Sequence, residues 1–132
     1  MPDMTNYLEA ALMNHTFRNS AYSSPTTVYL ALFTTATADD GTGTEVTGGS
    51  YARQPVAFAA GSQVNGAYQI ANSADVEFPI ATANWGTVTH AAMFDALSGG
   101  NMLIHGALTI SRTVNTNDQI KFSAGDLKLS LT

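Results

Sequence analysis

Two hydrophobic periods divide this chain. In MTNYLEAALMN, apolar residues Met4, Leu8, Ala11 and Leu12 recur at three- and four-residue spacing, the period of an amphipathic helix. Asp3 or Thr5 can cap its N-terminus, and Glu9 lies near the positive end of the dipole. The spacing predicts a short helix within residues 1–16. A helix of about ten residues is marginal alone, so its apolar stripe must pack on something. That support is either the chain's own sheet or a neighbouring subunit.

From Ser24 onward the period falls to two. TTVYLALFTT (26–35) is apolar on both faces, with Val28, Leu30 and Leu32 alternating with Tyr29, Ala31 and Phe33; this predicts a central strand buried on both sides. The Gly-, Thr- and Asp-rich stretch that follows, residues 36–50, is longer than most connections and is read as functional, mobile or pinned by a neighbour. YARQPVAFA (51–59) predicts an edge or bulged strand, because Pro55 has no N–H for a ladder. AYQIAN and ADVEFPI predict two short strands, with Val76 and Phe78 on one face and Asp75 and Glu77 on the other. GTVTHAAMFDA and NMLIHGALTI flank LSGG, a hairpin turn signal. In QIKFSAGDLKLSLT, Ile120, Phe122, Leu127, Leu129 and Leu131 point inward while Lys121, Lys128 and Ser130 point out.

Many short strands separated by Gly, Asn and Asp turns predict a mainly β fold. We expect one antiparallel β-sandwich of jelly-roll type over residues 1–132, with a short N-terminal α-helix. The length, 132 residues, suits one domain. With no cysteine, disulfides, thiolate metal sites and a cysteine nucleophile are excluded. Charged residues make up only 11% of the chain, against roughly 25% in an average domain. Threonine, serine, asparagine and glycine take their place, giving a surface that is inexpensive to cover with a neighbour. The net charge of −5, with Arg18, Arg53, Arg112, Lys121 and Lys128 scattered, argues against nucleic acid or an anionic membrane as partner. No apolar run approaches the ~20 residues of a membrane span, and the N-terminus lacks the basic start of a signal peptide.

The segment NWGTVTHAAMFD (84–95) holds the chain's single tryptophan with His90 and Asp95. Strand parity puts Val88, His90, Ala92 and Phe94 on one face and Asp95 on the other. His90 and Asp95 therefore form no acid–base pair unless a bulge flips the register. If Asp95 lies opposite Met102, His90 faces Ala107 and His105 faces Ala92, leaving the histidines diagonal neighbours about 7–8 Å apart. A two-residue shift would bring them opposite each other, a possible start for a metal site. No carboxylate shares that face, and the favoured reading is two hydrogen-bonded core or interface histidines.

Other chemical motifs fail on spacing. There is no G-x-S-x-G, ADDGTGTE lacks calcium-loop spacing and reads as a solvated turn, and GTGT has no following lysine. Asp75 and Glu77 share a face as paired glycosidase carboxylates might, but a solvated face is favoured. We expect no catalytic residue, no cofactor and no metal ligand. The candidate interface residues are Leu8, Leu12, Tyr51, Arg53 and Trp85. Trp85 is either a core anchor or a buried interface side chain. Arg53 is either a cross-interface partner or half of a surface ion pair.

Taken together, SPTTVYLALFTTA (24–36), TGGSYARQPV (47–56), FPIATANWGTVTHAAMFDALSGGNML (78–103) and GALTISRTVNTNDQIKFSAGDLKLSLT (106–132) resemble a family of small structural proteins of tailed bacteriophages and prophages. The opening TNYLEAALMNHTF fits the short helix of that family. Its members are labelled either tail-fibre protein or head decoration (cement) protein. The resemblance implies a non-enzymatic virion component, made in the host cytoplasm, with no site residue to transfer. Within it we favour a cement protein on the outer capsid surface, bound to the major capsid protein as a homodimer or homotrimer. The chain has no heptads or repeats to build a fibre shaft. A tail-fibre or tail-adaptor domain is the alternative.

Overall fold

Thr5 decides where the helix begins. In the computed structural model, which describes residues 2–131, its hydroxyl accepts from the Leu8 N–H at 3.3 Å and donates to the Met102 carbonyl at 2.6 Å. One side chain thus caps the helix and ties it to a strand nearly a hundred residues away. Helix α1 spans Asn6–Phe17 and is preceded by a two-residue strand, β1 (Asp3–Met4). Leu8, Ala11 and Leu12 are half-buried, and no residue of the helix is fully buried. The predicted stripe therefore rests on the chain's own sheet. A second set of apolar residues, Tyr7, Met13 and Phe17, faces solvent.

The strands that follow are β2 (Val28–Phe33), β3 (Gln54–Val56), β4 (Ser62–Val64), β5 (Ala67–Ala71), β6 (Val76–Glu77), β7 (Gly86–Phe94), β8 (Met102–Val114), β9 (Lys121–Phe122) and β10 (Lys128–Leu131). They form a five-stranded sheet in the order β1-β8-β7-β2-β3, a three-stranded sheet β10-β5-β4 and a two-stranded pair β6-β9. All of these pairings are antiparallel. The fold is mainly β with one short N-terminal helix, as the strand spacing predicts, and is compatible with a jelly-roll sandwich.

β2 is the central strand, buried on both faces. Leu30 and Leu32 enter the main core with Val56, Phe78, Trp85, Val88, Met93 and Phe122. Ala31 and Phe33 enter a smaller cluster on the other face with Ala92, Phe94 and Met102. Pro55 lies on β3, the edge of the large sheet, where its missing N–H costs nothing.

Three expectations change. First, the β7–β8 ladder breaks between Val88 and His90, where residues 108–111 of β8 have no register partner. This bulge reverses the parity, so Val88 joins Met93 in the main core and does not share the face of His90 and Ala92. A second irregularity leaves Leu103 unmatched and sets Phe94, not Asp95, opposite Met102. Second, β4 was not anticipated. Asn65 and Gly66, both at positive φ (52° and 82°), form the two-residue turn that joins it to β5; Asn-Gly is the strongest hairpin signal a sequence carries. Third, the C-terminal alternation does not belong to one face. The chain leaves β9 after Phe122 and β10 pairs with β5 in another sheet. Leu127 and Leu129 are consequently half-buried and Leu131 is exposed.

The long loop, residues 36–50, is held by its own chain. Glu45 bridges to Phe33, the Val46 N–H donates to the Leu32 carbonyl at 3.0 Å, and the Val46 side chain is buried in the core.

Candidate functional site

Arg53 organises the most polar part of the interior. Its side chain, only 8% exposed, meets Glu45 with two parallel bonds, Nε to Oε2 at 2.9 Å and Nη2 to Oε1 at 2.8 Å. Nη1 donates to the Ala96 carbonyl at 2.9 Å and the Gly99 carbonyl at 2.8 Å. The guanidinium carbon lies 3.8 Å from the centre of the Phe94 ring. Only arginine offers a planar fork and a stacking face together. Arg53 thereby joins the long loop, the β7–β8 turn and the second cluster. This corrects the surface-pair reading: Arg53 is buried, Glu45 is half-buried, and the guanidinium is engaged within the chain.

Tyr51 completes the arrangement. Its hydroxyl donates to Glu45 Oε2 at 2.6 Å and accepts from the Leu32 N–H at 3.0 Å. Burial alone would raise the Glu45 pKa, but the bonds from Arg53 and Tyr51 and the Arg53 charge outweigh it and hold the carboxyl below its ordinary value. Burial, and then the bond to Glu45, push the Tyr51 phenol far up. The Tyr51 ring stacks on Phe78 (centroids 6.1 Å) and meets Trp85 edge-on (5.4 Å). Trp85 is buried, and its Nε1–H donates to the Gly49 carbonyl at 2.9 Å. Gly49 has φ of 57°, and a Cβ there would come within 2.8 Å of the indole nitrogen. Trp85 is therefore a core anchor within this chain. Of the five candidate interface residues, Tyr51, Arg53 and Trp85 converge inward, while Leu8 and Leu12 lie half-buried under the helix.

The histidines are on one face, with His90 opposite Ala107 and His105 opposite Ala92, one of the registers considered, although Asp95 does not lie opposite Met102. They do not share a partner. His90 Nδ1 lies 2.8 Å from the Thr89 hydroxyl. His105 is buried, with Nε2 2.8 Å from Asp39 Oδ1 and Nδ1 2.8 Å from the Thr37 hydroxyl. The connectivity superficially resembles a hydroxyl–imidazole–carboxylate relay. Both ring nitrogens are occupied, however, and two of the three groups lie two residues apart on one loop. The trio fastens that loop to β8, and the Asp39 carbonyl accepts from Asn6 at the helix start. Asp39 and Asp40 both lie in an exposed turn, as the sequence predicts; Asp39 also reaches His105, and Asp40 accepts from the Thr42 hydroxyl at 2.6 Å and its N–H at 3.1 Å. Among the described residues no group of three His, Cys, Asp or Glu side chains converges as metal ligands would. Asp75 and Glu77 are exposed, and Asp75 pairs with Lys121 at 3.2 Å.

Two apolar surfaces stand out among the described residues. One is the outer side of α1, where Met13 is exposed and Phe17, one turn further on, is 75% exposed. The other is a cleft of about 590 Å³ that runs along β8 and is bounded across from it by residues 127–130. Leu30, Met93 and Phe122 of the main core reach its floor. No helix among the described residues is long and apolar enough to cross a membrane.

Comparison with known proteins gives one clear result. A family model described as Gp80, podophage GP4 fiber I protein gp80, matches residues 3–130. No curated protein matches the chain.

Proposed function

The chain belongs to the family of the podophage GP4 fiber I protein gp80, and on that premise we propose that it serves as a non-enzymatic structural subunit of a phage particle. The observation that carries this reading is the extent of the match, which takes in α1 and every strand through most of β10. The family is described by a fiber protein, which favours a place in a fiber or its attachment. The chain would act there as a small β-domain that docks through exposed surface and contributes no chemistry.

A second position, head cement, is favoured by a different observation. The described elements form antiparallel sheets in which no unit recurs as a shaft would require. In that role the protein would bind the major capsid protein on the outer surface of the head, as a homodimer or homotrimer bridging adjacent capsomers. A subunit that binds only the assembled shell stabilises it by RT ln(1 + [L]/Kd) per site. Modest interfaces then suffice when repeated over many equivalent sites.

Gold-labelled antibody against the protein, imaged on negatively stained particles, tests both positions. A fiber subunit labels the tail or its appendages, and a cement protein decorates the whole head. Particles purified to constant composition and free of the protein would overturn the structural-subunit reading itself.

A further inference from the structure

The cleft beside β8 is bounded by strand edges. β1 covers the outer edge of β8 only at Ile104 and His105, paired with Met4 and Asp3. From Gly106 onward no strand among the described residues lies on that side, where Pro2 lines the start of the cleft. Within this stretch residues 108–111 also lack a partner on β7, because the ladder steps over them. Ile110, at the centre of that stretch, is 75% exposed. Across the cleft β10 is the edge of the three-stranded sheet, paired only with β5. Two unpaired edges with core side chains between them describe a missing strand, because unpaired edges bind extended backbone and alternate side chains enter the pockets.

Charge selects the occupant. Arg112 and Lys128 line this cleft against a single carboxylate, Asp126. They are two of the five cations in a chain with ten carboxylates. Arg112 also sits 5.2 Å from the centre of the Phe122 ring and donates to the Lys121 carbonyl, which holds its charge at the cleft. A folded second copy is a poor donor, because its apolar-alternating segments already lie in ladders of its own.

We propose that the cleft receives an extended, acidic segment of a different protein of the particle, which pairs along β8 in line with β1. Its alternate apolar side chains enter over Leu30, Met93 and Phe122, and its carboxylates meet Arg112 and Lys128. This deepens the structural-subunit reading and rests on it for the source of the segment.

The test separates the two. The full chain is mixed with a capped seven-residue peptide of alternating aspartate and valine, and with a lysine–valine peptide as control, and amide hydrogen exchange is followed. The expected result is slowed exchange in residues 106–112 and 127–131 with the acidic peptide alone. Lys128→Glu, at an exposed position, should weaken that peptide by about tenfold while leaving the melting temperature unchanged. Unchanged exchange in both segments at millimolar acidic peptide would overturn the proposal, as would equal protection by both peptides. Protection that grows with protein concentration and no peptide would overturn it in favour of a second copy. None of these outcomes depends on particle labelling, so the cleft can fail while the structural role stands.

Discussion

Arg53 shows how much a single side chain can fix in a chain with few charges. Its fork holds Glu45 and two carbonyls of the β7–β8 turn, and removing the buried arginine leaves a half-buried carboxylate and those carbonyls uncompensated. Arg53→Met should therefore lower unfolding stability by about 3 kcal/mol, read as a shift of the urea midpoint, and Arg53→Lys should restore only part of it. Glu45 makes the stability pH-dependent. Its folded pKa lies below the ordinary value, so its contribution is fully present above the unfolded carboxylate range and is lost as pH falls through the folded value. Urea titrations from about pH 6 to about pH 3 should show a steeper loss for the wild type than for Glu45→Gln. The sequence made Tyr51 and Arg53 stand out and paired neither with Glu45. The pairing depends on how residues 36–50 fold back along Phe33, and no periodicity encodes that path. Trp85 was legible as an anchor because a lone tryptophan at a strand start has few better uses. Its acceptor, the Gly49 carbonyl, was not.

At the scale of the element, local pattern succeeded where one face or both are buried over several residues. β2 was readable because both of its parities are apolar, and the edge position of β3 because proline has no N–H. The parity of β7 failed at one point, since residues 108–111 belong to another strand and leave no mark in the sequence of β7. β4 escaped because its three residues, Ser62–Val64, are all exposed and carry no alternation; the Asn-Gly turn beside it was the available signal. Helix α1 has two apolar sides with different duties. Leu8→Ala on the half-buried side should cost about 1–2 kcal/mol, below the usual range for a fully buried leucine. Phe17→Ser on the outer side should stay within about 0.5 kcal/mol in thermal or urea unfolding. If the outer side docks in the particle, that second variant should be folded and yet poorly incorporated, measured as its ratio to the other virion proteins in purified particles.

For the whole molecule, the sheets were foreseeable as a class and their division was not. Strands separated by turns indicate an antiparallel fold, but the change of sheet after Phe122 depends on which edge β10 finds, and β5 lies nearly sixty residues away in sequence. The same long-range wiring has a practical consequence at Arg53. Trypsin cuts only after lysine and arginine, and the sequence holds neither between Arg53 and Arg112. Arg18 lies on the exposed end of the helix, whereas Arg53 is buried beneath the β7–β8 turn. Digestion of the native protein should therefore nick rapidly at Arg18 and leave Arg53 uncut, and cleavage at Arg53 should track the opened population. The fragment beginning at Gln54 would then be a clock for release of the guanidinium from Glu45 and the turn carbonyls. Its appearance should quicken in Glu45→Gln, which turns one buried arginine into a built-in protease reporter of how tightly the halves of the chain are held together.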